Sequence, residues 1–431
     1  MITLPHQGAV RTPHRALALS PTMSGVIWGA LLGTIPLLNY FFRPAYRFSS
    51  LYELVDDNVL IVSALSTLAL LAAAGFSFVT ASIFSIDYRR QKFSAALFFG
   101  IALFGLLSSM TSNAPGVPIV ISTQILAFSM AINFGTIDNW RPIFAAYCAT
   151  LSVMFAAADL LALLSHDYTW GRLGGHAGPN YWGLTSGSAL MLCLLLRPAA
   201  IRIPIILIAL ATLYLAQARG SMMGALLGAT SMAAIKLMRT SALRSALWIA
   251  IAAAALAVVG VGFGELIANH ILLLHDASRG VASGGSGREL VWAETMNLIL
   301  EHPLFGVGLH QSSRYLHAAA GAHNAYLATT AEQGLVGLAF YLALLVGGWA
   351  RAAYKALNAP SAEHLVLVGF LGFFVGVDFF EAYALQTGNP FSLTVMIVMA
   401  LAWRVDGRTA PTFPLGNGVP NGRMRHEERT A

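Results

Sequence analysis

The sequence predicts an all-α polytopic membrane protein of about twelve transmembrane helices with one large loop, containing short helices, on the outer face. Three observations carry this. Of 431 residues, 57% are hydrophobic and only 10% charged, whereas a soluble domain carries roughly a quarter charged residues. The apolar residues recur in runs near the length of about 20 that a helix needs to cross a hydrocarbon core. Lysine and arginine are divided unequally between the intervening loops.

Residues 1–23 are polar, carry Arg11 and Arg15, and precede an apolar run without a small-residue cleavage site. That run reads as a retained first span. Spans are expected at 24–42, 59–86, 93–111, 117–136, 142–164, 181–196, 200–218, 220–238 and 245–263, forming a first block over 24–263. Three more, at 333–350, 364–384 and 389–403, form a second block over 333–403. The block 264–332 is the large loop, and loops of this length are usually functional. Within it, Leu266 to Leu274 has the pattern of a short apolar surface helix. Glu289 to Glu301 is helical in pattern, with Leu290, Ala293, Met296, Leu298 and Leu300 as its apolar side. The block 404–431 is the tail, which from Asp406 onward is rich in Pro, Gly, Asn and Arg and reads as disordered.

Lys and Arg accumulate in cytoplasmic loops. With the N-terminus inside, 18 of the 25 fall on the cytoplasmic side, so both termini are cytoplasmic. The net charge of +6 is therefore a topology signal, and no nucleic-acid partner is expected. The seven residues on the outer side are Arg43, Arg47, Arg172, Arg219, Arg279, Arg288 and Arg314, every one an arginine. A planar fork of donors suits phosphate oxygens, although helix ends also use arginine to snorkel. Cys148 and Cys193 lie inside apolar runs and read as buried small hydrophobes.

Four outer-face segments combine groups that bind anions. In Ser283-Gly284-Gly285-Ser286-Gly287-Arg288-Glu289, Ser286 and Glu289 form a capping box that starts a helix with Arg288 in its first turn. A cation is unfavourable at a helix N-terminus unless an anion binds there, and then dipole, N–H groups and guanidinium act together. Arg219 lies at the tight turn between the seventh and eighth spans, where Ser221 could cap the eighth. Arg172-Leu173-Gly174-Gly175-His176-Ala177-Gly178-Pro179-Asn180 offers close backbone approach beside Arg and His. His323-Asn324 stands at the outer end of the tenth span, as a general base or a hydrogen-bond donor. Arg314 remains open as a further contact, while His310 and His317 read as loop decoration.

Asp276, Glu289, Glu294, Glu332 and Asp378 are scattered, with no pair spaced for a divalent ion, so no metal is expected. A transporter would also show about twelve spans, but with charges at mid-bilayer in broken helices. Here the charges gather at the outer face, Asp159 and Asp378 excepted. The glycines from Gly369 to Gly376 suggest a lateral groove for a lipid tail.

Arg219, the segment Gly287-Arg288-Glu289-Leu290-Val291-Trp292, the run His302-Pro303-Leu304-Phe305-Gly306-Val307-Gly308, and His323-Asn324 nine residues before Gly334-Leu335-Val336-Gly337 together resemble the O-antigen ligase (WaaL) family. The wider superfamily, with O-antigen polymerases and protein O-oligosaccharyltransferases, shares the last pattern more loosely. The resemblance implies a GT-C-like glycosyltransferase of the bacterial inner membrane, active on the periplasmic face. Its donor would be an undecaprenyl-diphosphate-linked O-antigen and its acceptor a sugar hydroxyl of lipid A-core, with no cofactor. The essential arginines correspond to Arg219 and Arg288 and the essential histidine to His323. Arg172 and Asn180 match more loosely, and His176, Asn324 and Arg314 are further candidates for diphosphate or sugar.

Overall fold

In a computed structural model of the chain, the described residues are 26–27, 29–30, 88–110, 117–166, 168–169, 171–174, 178–241, 243–244, 246–247, 250, 288–316, 321–385 and 390–405. The second expected span, most of the first and ninth, the segment Leu266 to Leu274, and Ser283 to Gly287 lie outside them.

The described chain is almost entirely helical. The helices are α1 (Lys92–Ser109), α2 (Val117–Thr136), α3 (Trp140–Ser165), α4 (Pro179–Leu192), α5 (Ala199–Ala216), α6 (Arg219–Met238) and α7 (Arg288–Glu301). They are followed by α8, which spans Ala325–Asn358 with a kink inside it, then α9 (Ala362–Val377) and α10 (Pro390–Trp403). A two-stranded antiparallel ribbon, β1 (Tyr168–Thr169) with β2 (Arg172–Leu173), joins α3 to α4. Among the described residues, five helices are long and apolar enough to cross a membrane: Tyr88–Ser109, Trp140–Ser165, Ala199–Ala216, Arg219–Met238 and Ala325–Asn358. Ala362–Val377 and Phe391–Trp403 are shorter apolar helices.

Three expected boundaries move, one of them the end of the tenth span, which runs to Asn358 instead of 350. The tenth span begins at Ala325 instead of near 333, because Asn324 caps the helix by accepting the Leu327 N–H at 3.0 Å. The eleventh stops at Val377 instead of 384. The chain there turns through Asp378, whose carbonyl accepts the Ala325 N–H at 2.8 Å. The C-terminus of α9 thereby meets the N-terminus of α8, and residues 381–385 become a non-helical strap.

Helix α9 lies at the centre, buried from Val366 to Val377. Its glycines do not open a lipid groove. A Cβ on Gly228 of α6 would stand 2.4 Å from the Gly369 carbonyl oxygen, and one on Gly376 only 2.8 Å from the Gly224 Cα. These small residues let the backbones of α6 and α9 touch, as at close helix crossings in lipid.

A second close contact explains two glycine motifs at once. Inside α8, Gly334 leaves the helical region with φ +70°, and a Cβ there would strike the Leu304 carbonyl at 2.0 Å. The segment Pro303–Gly308 runs across this kink. Leu335 N–H donates to Pro303 O at 2.8 Å, and Val307 and Gly308 donate to Ala331 O and Glu332 O, each at 2.9 Å. Backbone bonds lost at the kink are thus replaced across the contact.

Charges divide the bundle into two ends. At one, buried Arg404 donates through Nη1 to Gly135 O at 2.6 Å and Ile137 O at 2.5 Å, at the C-terminus of α2. Lys355 Nζ donates to Leu401 O at 3.2 Å and Arg404 O at 2.6 Å. Arg90 pairs with Asp138 at 2.7 Å. The opposite end carries Arg172, Arg219, Arg288 and His323.

Gly228→Ala is expected to destabilise the protein by about 1–3 kcal/mol, the usual cost of overpacking, and to lower its unfolding temperature in detergent. Gly321→Ala, where nothing lies within 4 Å of the new Cβ, is the matched control and should leave that temperature unchanged.

Candidate functional site

The site assembles where four helices begin. Asn180 is in the first turn of α4, behind Pro179, a residue suited to a helix start because its missing N–H has no intrahelical partner there. Arg219 opens α6, Arg288 opens α7, and His323-Asn324 precede α8. Between them lies the strap after α9, carrying Glu381, which is 4% exposed.

Glu381 draws the predicted residues together. Its Oε1 accepts from Arg288 Nη2 at 2.9 Å and from Asn180 Nδ2 at 2.5 Å. Its Oε2 lies 3.4 Å from His323 Nδ1. The Glu381 backbone carbonyl accepts the Ala325 N–H at 3.1 Å. Gly220 places the start of α6 against Phe380, where a Cβ would lie 2.7 Å from the Phe380 Cβ. Asn180 and Arg288 from two helix starts and His323 from just before a third therefore meet at one nearly buried carboxylate, while the start of α6 lies against the neighbouring Phe380.

Arg172, half-buried on β2, donates through Nε to Ala216 O at 2.8 Å and through Nη2 to Gln217 O at 3.1 Å and Asn180 Oδ1 at 3.3 Å. It holds the last carbonyls of α5 and orients Asn180 towards Glu381. Two residues after Gln217, Arg219 begins α6 without a side-chain cap. The expected cap, Ser221, is instead buried against α4, where Gly183 leaves room for it.

His323 takes the left-handed backbone conformation, φ 45°, with its side chain about half exposed. Trp292 Nε1 donates to Ala322 O at 2.7 Å, tying the middle of α7 to the residue before it. Asn324 also donates through Nδ2 to Phe379 O at 3.2 Å, so it acts as cap and brace. Arg314 is exposed on the turn Ser312–Arg314 and is not among the side chains bonded to Glu381. His176 and His317 lie outside the described residues, and His310 takes φ 54° on the loop.

Helix α7 forms as expected but turns over. Its buried side is Val291, Thr295, Leu298 and Ile299, while Leu290, Met296 and Leu300 are 73%, 46% and 71% exposed. Of the expected apolar side, Leu298 alone packs inward.

The two acids that suggested a transporter are interior residues. Asp159 accepts from Thr185 at 2.6 Å and Ser186 at 2.9 Å. Asp378 accepts from the Tyr341 hydroxyl directly beneath the strap. Cys148 and Cys193 are free and buried. Among the described residues, no three His, Cys, Asp or Glu side chains gather as a metal-ligand set.

Sequence reasoning missed Glu381 because it fell inside an expected span. The signal present was an ionisable residue near the end of an otherwise apolar run, which in a membrane is a functional marker by default.

Fold and site together define a helical membrane protein with a cationic cluster of helix N-termini at one end of its bundle. The family model described as O-antigen ligase matches residues 204–342, or 139 of the 431 residues, and supports the O-antigen ligase/polymerase superfamily. The match takes in Arg219, Arg288 and His323, and leaves Arg172, Asn180 and Glu381 outside it. No curated protein matches the chain.

Removing one partner of a buried ion pair strands the other charge. Arg288→Ala should therefore destabilise the protein by about 1–3 kcal/mol. In a double-mutant cycle by thermal unfolding, adding Glu381→Gln should recover part of that loss, and strictly additive effects would contradict the pairing.

Proposed function

We propose that this protein is an O-antigen ligase of the bacterial inner membrane. It would transfer a glycan from undecaprenyl diphosphate to a sugar hydroxyl of lipid A-core, with the Glu381 end of the bundle facing the periplasm. The observation that carries this reading is the convergence of Arg288, Asn180 and His323, with the helix starts behind them, on one carboxylate. Such a cluster suits a multiply charged anion, and the match to the O-antigen ligase description supports a lipid-linked polysaccharide as the partner that would carry it.

The chemistry follows from charge. Breaking the bond between the anomeric carbon and the diphosphate sends the electron pair to a phosphate oxygen. Arg288 and Arg219 would stabilise that oxygen through charge-assisted hydrogen bonds aimed at the developing charge. Because these donors and the helix ends supply the stabilisation, the transfer is proposed to be metal-independent. His323, held through Nδ1 by Glu381, presents its other ring nitrogen to the acceptor hydroxyl and takes its proton as the oxygen attacks. Attack opposite the leaving diphosphate in a single displacement inverts the anomeric centre. Energy comes from the activated donor.

The test is transfer in detergent with undecaprenyl-diphosphate glycan, lipid A-core and EDTA. The native chain should glycosylate lipid A-core. Arg288→Ala and His323→Ala should each reduce the rate on the order of 10²-fold or more, as removal of a group that stabilises developing charge does. Lengthening of the donor lipid without glycosylated lipid A-core would make the protein a polymerase. Transfer to a protein hydroxyl would make it a protein O-oligosaccharyltransferase.

A further inference from the structure

Helix α7 presents three faces. At about 100° per residue, the side formed by Val291, Thr295, Leu298 and Ile299 packs on the protein. A second flank, within about 60°, holds Ala293, Met296 and Leu300, all exposed. A third, of similar width, holds Glu294, Asn297 and Glu301, with Leu290 among them at the Arg288 end. A helix with one side on protein and adjoining apolar and charged flanks fits a boundary between hydrocarbon and water.

Its placement supplies the hydrocarbon. The chain after α7 crosses α8 at Ala331 to Leu335, which is about 9–15 Å along that helix from its start. Phe305 stacks on Phe104 of α1 with ring centroids 6.1 Å apart, about 8 Å inside the end of α1 at Ser109. Both α1 and α8 belong to candidate membrane spans. The apolar flank is extended by Leu304 and Phe305, 57% and 51% exposed. Through Phe104 it adjoins the edge of the exposed apolar face of α1, where Leu107 and then Leu103, 42% and 36% exposed, follow about 60° and 100° round the helix. A continuous apolar surface of this kind is not left to water.

We infer that α7 dips into the leaflet on the Glu381 side, with Met296, Leu300, Leu304 and Phe305 covered by lipid acyl chains. Its N-terminus is the shallow end. Glu289, which falls angularly between Met296 and Leu300, lies there beside Arg288, at the level of the Glu381 cluster. Under the function proposed above, on which this one consequence rests, Arg288 meets its phosphate at headgroup depth, from within the membrane.

Single cysteines carrying a nitroxide, in protein reconstituted into phospholipid nanodiscs, test the placement by collision with dissolved oxygen and with a neutral nickel chelate. The native cysteines are buried, so the unsubstituted chain gives the labelling background. The oxygen-to-nickel ratio at Met296→Cys, Leu300→Cys and Leu304→Cys should exceed that at Asn297→Cys and Glu301→Cys several-fold. Equal ratios at all five positions would show a water-facing helix and overturn the inference. Loss of both collision partners at Met296→Cys and Leu300→Cys would overturn it too, by showing a protein cover from this chain or a second copy. The transfer assay is unaffected by either outcome, so the two readings fail separately.

Discussion

Glu381 is nearly buried, and a buried carboxylate is costly unless charge and hydrogen bonds compensate it. Its compensation comes from Arg288, Asn180, His323 and the positive ends of helices that begin around it. The dependence runs both ways. Several helix N-termini brought to one place repel one another, and an arginine among them adds to the repulsion. A single anion at the centre makes the convergence tolerable, and in this structure that anion belongs to the chain itself. A diphosphate entering the same cluster would bring more negative charge than the carboxylate and could take over its partners.

The opposite end obeys the same electrostatics with the sign reversed. The C-terminus of α2 presents carbonyls that need donors, and Arg404 supplies them from within the protein. Lys355 does the same for the end of α10. Cations therefore close negative helix ends at one end of the bundle, while a carboxylate closes positive ends at the other. Between them, α6 and α9 approach to backbone contact through Gly224, Gly228, Gly369 and Gly376. This holds Arg219, at the start of α6, near the strap at the end of α9.

The described helices and their order were legible in the sequence because apolar runs of span length have few alternatives in a chain with so little charge. Arg219, Arg288 and His323 were legible as outer-face exceptions to the charge rule or as parts of a motif. Glu381 was not, because hydropathy alone cannot tell an acid near the end of a span from one just beyond it. Asp378 and the N-cap Asn324 decide that boundary through tertiary hydrogen bonds, to Ala325 and Phe379 respectively. The face of α7 was misread for a related reason. Periodicity finds an apolar stripe but does not say whether protein or lipid covers it, and the inward side mixes Val291 and Ile299 with Thr295. That Arg172 donates to helix-end carbonyls was not legible either, because the demand exists only once α5 has ended beside it.

The two glycine motifs far from the chemistry are halves of one contact, and that contact bears on the geometry of the cluster. Arg288 is at one end of α7. The chain leaving the other end is bonded across the Gly334 kink of α8, and the middle is tied through Trp292 to Ala322, one residue before His323. Two anchors on one helix fix where Arg288 stands relative to His323, and neither residue needs to touch an anchor itself. A side chain at Gly334 or Gly306 would collide with backbone and not with a flexible neighbour, so relief would have to come from sliding α7 along α8. Such a slide would separate the guanidinium from the imidazole across Glu381. That is why glycine is required more than 10 Å along α8, by the rise of a helix, from the residues that would meet the substrate.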